Sequence, residues 1–426
     1  MPAATRPATD SRAGELRLRL ATAVGDVAAL LSRLAGRGSG ASIRGQILTR
    51  LAPTAFAQLL AGRRVLAVSG TNGKTTTTHL LVAALRESLG TAAVVTNSDG
   101  ANLHYGIASA LSKDRRAPIA VLETDERVVS DMIRLGRPEV LVFLNFSRDQ
   151  LDRHHEIKAL GRAWRAALDK AGEDGPAIVA NACDPLVVWA SSTAASVIWV
   201  ETDTLWNADA ALCPACGTVL VRLPSDGRER WDCPGCDLTQ PEADYRVSGS
   251  DVVLPDGTTV TPVLNVPGRF NISNAACALA AAASFGVAAE VALAGMARVK
   301  APAGRFATAQ IGGATARLLL AKNPAGWAEA LPLATSEPVV LAIDSVAADG
   351  KDVSWLWDVE YEQLRGRHVV ATGPRAQDLA VRLSYAGVEH SIVPDLTDAL
   401  AGHGGPVDVI ATYTPFQKLL KLGGLR

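Results

Sequence analysis

Aromatic residues make up only 5% of this 426-residue chain, so Ala, Val and Leu must fill its cores. A surplus of either charge is missing too. The 42 Lys and Arg stand against 43 Asp and Glu, for a net charge of −1. That balance argues against a nucleic-acid protein, which would carry a basic excess. No apolar run approaches the ~20 residues that a membrane span needs. The opening stretch MPAATRPATDSRAGELRLRL carries mixed charge and no signal-peptide core. The expectation is a cytoplasmic protein, in a compartment that keeps thiols reduced. Its six cysteines are therefore read as metal ligands or core residues rather than disulfides.

What is present is a long α/β alternation. The length exceeds the roughly 250–300 residues at which single cores split, and the pattern divides three ways. Residues 1–60 hold an N-terminal helical segment, with GELRLRLATAVGDVAALLSRLAGRG as an amphipathic helix ended by Gly36 and Gly38. Residues 61–301 alternate strand-length apolar runs (VLAVSG, PIAVLETD, EVLVFLNF, PAIVANACD, SVIWVET) with helical patterns. This is the signature of a parallel sheet covered on both faces. Residues 205–245 interrupt the rhythm as an insertion. Residues 302–426 begin a second α/β run, with PVVLAID, RHVVATG, HSIVPD and VDVIATY as its strands. The fold class is α/β: a central phosphate-loop domain with a cysteine-rich insertion, then a Rossmann-like C-terminal domain.

The stretch SGTNGKTTTTHL, Ser69–Leu80, follows a buried-strand pattern and opens a helix. A strand, a glycine turn and a helix N-terminus together present backbone N–H groups to a phosphate. Gly70 and Gly73 let the backbone bend, Lys74 reaches terminal phosphates, and the Thr75 hydroxyl is placed to hold Mg²⁺. The usual early glycine of such loops is Val68 here, so the loop is a shorter variant. Glu123 ends a strand beside it, followed by Asp125 and Glu126, and is the metal candidate. NFSRDQLDRHHE offers Asp149, Asp152, His154, His155 and Glu156, either as a charged helix start or as a second set of groups over the phosphate.

Cys213-x₂-Cys216 and Cys233-x₂-Cys236 are separated by sixteen residues. This is the spacing of a four-cysteine zinc ribbon. Four thiolates close a tetrahedral shell and leave no open position, so the site is expected to be structural. Cys183 and Cys277 are expected to be unliganded and buried.

The motifs GTNGKTTT, RDQLDRH, NACDP and GRFNISNAACALAA resemble those of the Mur ligases and folylpolyglutamate synthases, over roughly residues 60–310. The four-cysteine insertion, LLAKNPAGW (Leu319–Trp327) and ADGKDVSWLWDVEYE (Ala348–Glu362) resemble one branch of that family, the MurT-type ligase subunits of lipid II isoglutaminyl synthases. The resemblance implies ATP-dependent activation of the α-carboxyl of D-glutamate in lipid II as an acyl phosphate. Ammonia from a GatD-type glutaminase subunit then converts it to D-isoglutamine in peptidoglycan synthesis, at the inner face of the membrane. It further implies that Gly70, Thr71, Asn72, Gly73, Lys74, Thr75 and Thr76 form the ATP loop, with Thr75 and Glu123 on Mg²⁺. Asn271 and Asn274 would contact the nucleotide and Arg305 the phosphates. Asp352 would complete the glutaminase triad across the subunit interface, with Asp349 and Asp358 as rivals. Gln150 and Phe270 stand where many relatives carry histidine. An amino-acid-adding ligase of the same fold is the alternative. A zinc-ribbon adaptor that uses nucleotide as a switch and a nucleic-acid ATPase fit less well.

Overall fold

The computed structural model describes residues 12–34, 40–97, 101–148, 157–203, 208–225, 228–300, 305–346 and 349–425. Three helices open the chain: α1 (Arg12–Leu34), α2 (Ala41–Leu51) and α3 (Ala55–Leu60). The strand β1 (Arg64–Ser69) follows, then α4 (Lys74–Leu89), β2 (Val94–Thr96), α5 (His104–Lys113) and β3 (Ile119–Glu123). After these come β4 (Val140–Phe143), β5 (Ala177–Asn181) and β6 (Val197–Glu201). The six pair in parallel in the order β6-β5-β4-β1-β3-β2, so β1 is central.

These strands read as continuous apolar runs because both sheet faces are covered and side chains alternate between them. Val65 and Ala67 of β1 join one core with Phe56, Leu60 and Trp164, while Leu66 and Val68 join another with Leu80, Leu85 and Leu279. Leu18, Leu48 and Phe56 of the opening helices bury in the first of these cores. The N-terminal helices thus share the central domain's interior. The small-residue helix Phe270–Ser284 lies against the opposite face, and its Ala275–Ala282 stretch is wholly buried. Its alanines let it sit close to the sheet.

The inserted hairpin is β7 (Val221–Ser225) and β8 (Arg228–Asp232). Beyond it, β9 (Tyr245–Ser248) joins β6 in parallel, and β10 (Asp251–Val253) and β11 (Thr259–Val260) extend that edge antiparallel. The sheet is therefore mixed, with nine strands among the described residues.

The C-terminal sheet has β12 (Phe306–Ile311), β13 (Ala314–Leu320), β14 (Val339–Ala342), β15 (Val369–Thr372), β16 (His390–Ile392) and β17 (Pro406–Ala411), in the order β12-β13-β17-β14-β15-β16. β12 and β13 form an antiparallel hairpin; the other pairings are parallel. Gly312 and Gly313 both have positive φ, at 61° and 90°, which a two-residue hairpin turn of this hand requires. Among the described residues, two separate cores pack this sheet, and neither includes a residue of the central domain.

Candidate active site

The loop between β1 and α4 lies at the carboxyl ends of the parallel strands, where open α/β sheets bind ligands. Gly70 has φ 139°, and a Cβ there would stand 2.9 Å from Asn145 N. Gly73 has φ 87°, and a Cβ there would stand 2.5 Å from Asn274 Oδ1. Both glycines are required by conformation and by space. The loop is held from beneath by the segment after β4. Asn145 Oδ1 accepts from Asn72 N (2.9 Å), Asn145 O accepts from Thr71 N (2.9 Å), and Thr71 Oγ1 accepts from Ser147 N (3.0 Å).

Lys74 is buried. Its Nζ donates to the Gly70 carbonyl, to Thr71 O at 3.2 Å and to Glu126 Oε2 at 3.1 Å. Thr75 Oγ1 donates to Glu123 Oε2 at 2.8 Å. The other Glu123 oxygen accepts from Asn102 Nδ2 at 3.1 Å, and Asn97 clamps the Glu123 backbone N (2.9 Å) and O (2.8 Å). A buried carboxylate, a hydroxyl and two amides thus converge beside the loop. Asp125 is engaged elsewhere: Arg127 holds it by a side-chain bond of 2.7 Å, and this keeps its carboxyl below the usual range although burial opposes the shift.

A cleft opens from the loop between the two domains. Asn72, Gly73, Thr76, Asn271, Asn274 and Arg305 line it, with Phe270 and, from the C-terminal domain, Leu319, Ala321 and Leu333. Arg305 Nη2 donates to Thr75 Oγ1 at 3.2 Å. Asn274 Nδ2 donates to Asn271 Oδ1 at 2.9 Å. Asn72 and Asn323 exchange amide contacts at 3.4 Å across the domain boundary. The NACDP segment forms the far wall. Asp184 caps the helix Pro185–Ser191 by accepting from Leu186 N and Val187 N, and it also accepts from Phe146 N at 2.7 Å. Burial pushes its carboxyl up to about 6, against the pull of those three N–H donors.

Asp349, Asp352 and Asp358 share a small crevice with Arg148, Lys322 and Asn323. Asp349 is buried and accepts from Thr414 N at 2.7 Å. Asp358 pairs with Arg148 at 3.2 Å. Asp352 is exposed; Ser354 N donates to it at 2.8 Å and holds its carboxyl below the ordinary aspartate range.

The four cysteine Sγ atoms of the insertion lie within 4.8 Å of one another. The closest pairs are 3.4 Å (Cys216–Cys233) and 3.6 Å (Cys213–Cys236 and Cys233–Cys236). A disulfide would need about 2.05 Å, so the four sulfurs are unbonded to one another and could together hold a metal ion. Trp231 anchors it, donating from Nε1 to Ala182 O at 3.1 Å beside the cleft wall. Cys277 is buried as expected, with its thiol pushed up to about 12 by burial. Cys183 differs from expectation: it is only half-buried, lines the cleft and donates to Thr202 O at 3.3 Å. It shares the cleft lining with Asn181, Asp184 and Thr202, which leaves it partly open to the cleft.

Asp149, Gln150, Asp152, His154, His155 and Glu156 lie outside the described residues, as do Gly36 and Gly38. Sequence reasoning missed Asn97, Asn102, Asn145 and Ser147, which carry no periodic signal. Asp184 had one: an aspartate before proline marks a helix N-cap.

Residues 68–211 match the Mur ligase middle domain family, and residues 320–416 match the MurT ligase C-terminal family. The chain is 29% identical over 386 residues to the Streptococcus pneumoniae protein named lipid II isoglutaminyl synthase (glutamine-hydrolyzing) subunit MurT, covering 84% of each. It is 28% identical over 420 residues to the Staphylococcus aureus protein of the same name, covering 92% of this chain and 94% of that one. In fold it is similar to a pseudomurein peptide ligase type C from Methanothermus fervidus, with a TM-score of 0.62 at 18% identity over 84% of this chain and 79% of the other. MurF from Acinetobacter baumannii is similar at a TM-score of 0.60 and 17% identity, over 91% and 80% of the two chains. With a Mur ligase middle domain and a MurT C-terminal domain on one chain, and likeness to MurT subunits along nearly its whole length, the protein belongs to the Mur ligase family, in its MurT branch.

Proposed function

We propose that this chain is the ATP-dependent ligase subunit of a lipid II isoglutaminyl synthase, amidating the α-carboxyl of D-glutamate in lipid II during peptidoglycan synthesis. The observation that carries the reading is the Thr75 hydroxyl held between Glu123 and Arg305. It joins the phosphate loop, a buried carboxylate and a C-terminal-side cation at one point.

A carboxylate is a poor electrophile. Its oxygen attacks the γ-phosphorus of ATP, ADP leaves, and the acyl phosphate so formed has a good leaving group. The loop N–H groups, Lys74 and Arg305 are placed to receive the charge that spreads over the phosphoryl oxygens. Ammonia then attacks the carbonyl carbon, inorganic phosphate departs, and the nitrogen sheds a proton. Thr75 and Glu123 are the residues that would hold Mg²⁺, and their hard oxygens suit it. When bound, Mg²⁺ neutralises phosphate charge. Asn102 and Asn97 fix the Glu123 carboxylate in place for that role. Leu319, Ala321 and Leu333 close the cleft's C-terminal wall and keep water from the acyl phosphate.

Most ammonia is ammonium at neutral pH, so local delivery by a glutaminase subunit raises its effective concentration. The Asp352 crevice is joined to the loop through Asn323 and Asn72. That adjacency supports docking of the glutaminase near the acyl phosphate. The test is co-purification with a glutaminase subunit, followed by mass spectrometry of the muropeptide. Replacement of OH by NH₂ is expected only with ATP present. Addition of an amino acid instead would identify the amino-acid-adding alternative.

The cysteine cluster suits Zn²⁺. Tetrahedral Zn–S bonds of about 2.3 Å set sulfurs roughly 3.8 Å apart, near the separations found. Structural zinc contributes on the order of 10 kcal/mol to its own domain's folding. A strong chelator is expected to release zinc, expose the four thiols to a thiol reagent and loosen the Trp231 anchor at the cleft wall. Thiols that stay unreactive after chelation would contradict a zinc-held ribbon.

A further inference from the structure

The opening helix is mounted inside out. Leu18, Ala21, Gly25, Ala29 and Ser32 of α1 are buried; a Cβ on Gly25 would stand 3.0 Å from Arg44 O in α2. The small residues face the protein. The large ones face away: Leu16, Leu20, Val24, Val27, Leu31 and Leu34 are each between 49% and 76% exposed. At 3.6 residues per turn they fall in one arc, directly opposite the buried face, and run about 27 Å along the helix. A contiguous apolar stripe of that length marks an interaction surface.

We propose that this stripe seats the chain on an anionic phospholipid surface, and the proposal rests on the reading that the acceptor is lipid II. Charge argues for this occupant. Arg17 borders the stripe on one side, and Arg19 and Arg33 on the other. Glu15 is taken up by Arg19 and Arg115 at 2.9 Å each, and Asp26 by Arg44 at 2.5 Å. The rim is therefore net positive after pairing. A second copy of the chain would set these arginines against one another, whereas anionic headgroups attract them. Among the described residues no helix is long and apolar enough to cross a membrane, so α1 would lie on the surface.

Position argues the same way. Arg44 of α2 donates to Ser109 O at 2.5 Å and Ser112 Oγ at 2.7 Å, tying α1 and α2 to α5. The loop before α5 supplies Asn102, which holds Glu123. The stripe is thus braced through α5 to the Glu123 side of the site, and the described lining of the cleft includes no residue of α1.

Cosedimentation of the full chain with phosphatidylglycerol/phosphatidylethanolamine vesicles tests this, with phosphatidylcholine vesicles as control. The wild type is expected to pellet with the anionic vesicles. The variant L20E/V27E/L31E is expected to lose roughly tenfold or more of that partitioning, with an unchanged melting temperature and unchanged amidation of detergent-solubilised lipid II. Arg17→Gln with Arg33→Gln is expected to weaken anionic binding alone. A wild type that stays in solution, a variant that pellets equally, or a wild-type dimer that the variant converts to monomer would overturn the proposal. Loss of detergent-phase amidation by the wild type would instead strike the proposed function.

Discussion

Lys74→Ala is expected to reduce ATP-dependent amidation by roughly 10²–10³-fold, the usual cost of removing one donor aimed at developing charge. Lys74 is the buried cation of the loop, enclosed by the Gly70 and Thr71 carbonyls and by Glu126. Its charge is solvated by protein acceptors rather than by water. Lys74→Arg is not expected to rescue the loss. A planar guanidinium with five fixed donors does not fit a niche shaped for a compact ammonium. Removing the ammonium also leaves Glu126 half-buried without its partner, so melting temperature must be measured alongside. A variant that folds but releases ADP at the wild-type rate would show that the loop does not present the γ-phosphate.

Asp352→Asn is expected to lower glutamine-driven amidation by about 10³–10⁴-fold, the scale seen when the aspartate of a catalytic triad loses its charge. Amidation with added ammonium salts should persist. The three aspartates of the crevice differ in what they are free to do. Asp349 is buried and occupied by Thr414 N, and Asp358 is paired with Arg148. Asp352 is exposed, and the Ser354 N–H keeps it ionised well below neutral pH. Of the three it is the one whose side chain is exposed, as reaching a histidine of another subunit would require. Because its folded value is lowered, its charge is present throughout the neutral range and fades only in acid, so it should add no step near pH 7 to the glutamine-driven rate. Equal loss with both nitrogen sources would reject the triad role.

The sheet was legible wherever burial on both faces forced a continuous apolar run. VLAVSG, PIAVLETD and EVLVFLNF each became a parallel strand for that reason. The phosphate loop was legible because glycine, lysine and threonine occupy fixed offsets between a strand and a helix. The cysteine cluster was legible from spacing alone. The β9–β11 edge was not, because strands of two to four residues are too short for a periodic signal. The β12–β13 hairpin carried a signal in its Gly-Gly pair, but its alanine-rich strands do not stand out from the rest of the chain. The braces of the site stayed hidden for a different reason. Asn97, Asn102 and Asn145 act through partners 26, 21 and 73 residues away, and one-dimensional pattern holds no trace of such reach.

The two halves of the molecule keep their greasy interiors to themselves. Among the described residues, polar contacts cross the cleft from Asn72 to Asn323, from Arg305 to Thr75 and from Arg148 to Asp358. Each can be traded for a bond to water at small net free energy, so parting the halves would leave the buried cores of both intact. The working alignment is therefore not frozen into either half. A ligand that spans the gap would then set it, and a nucleotide bound there would be reagent and clasp at once.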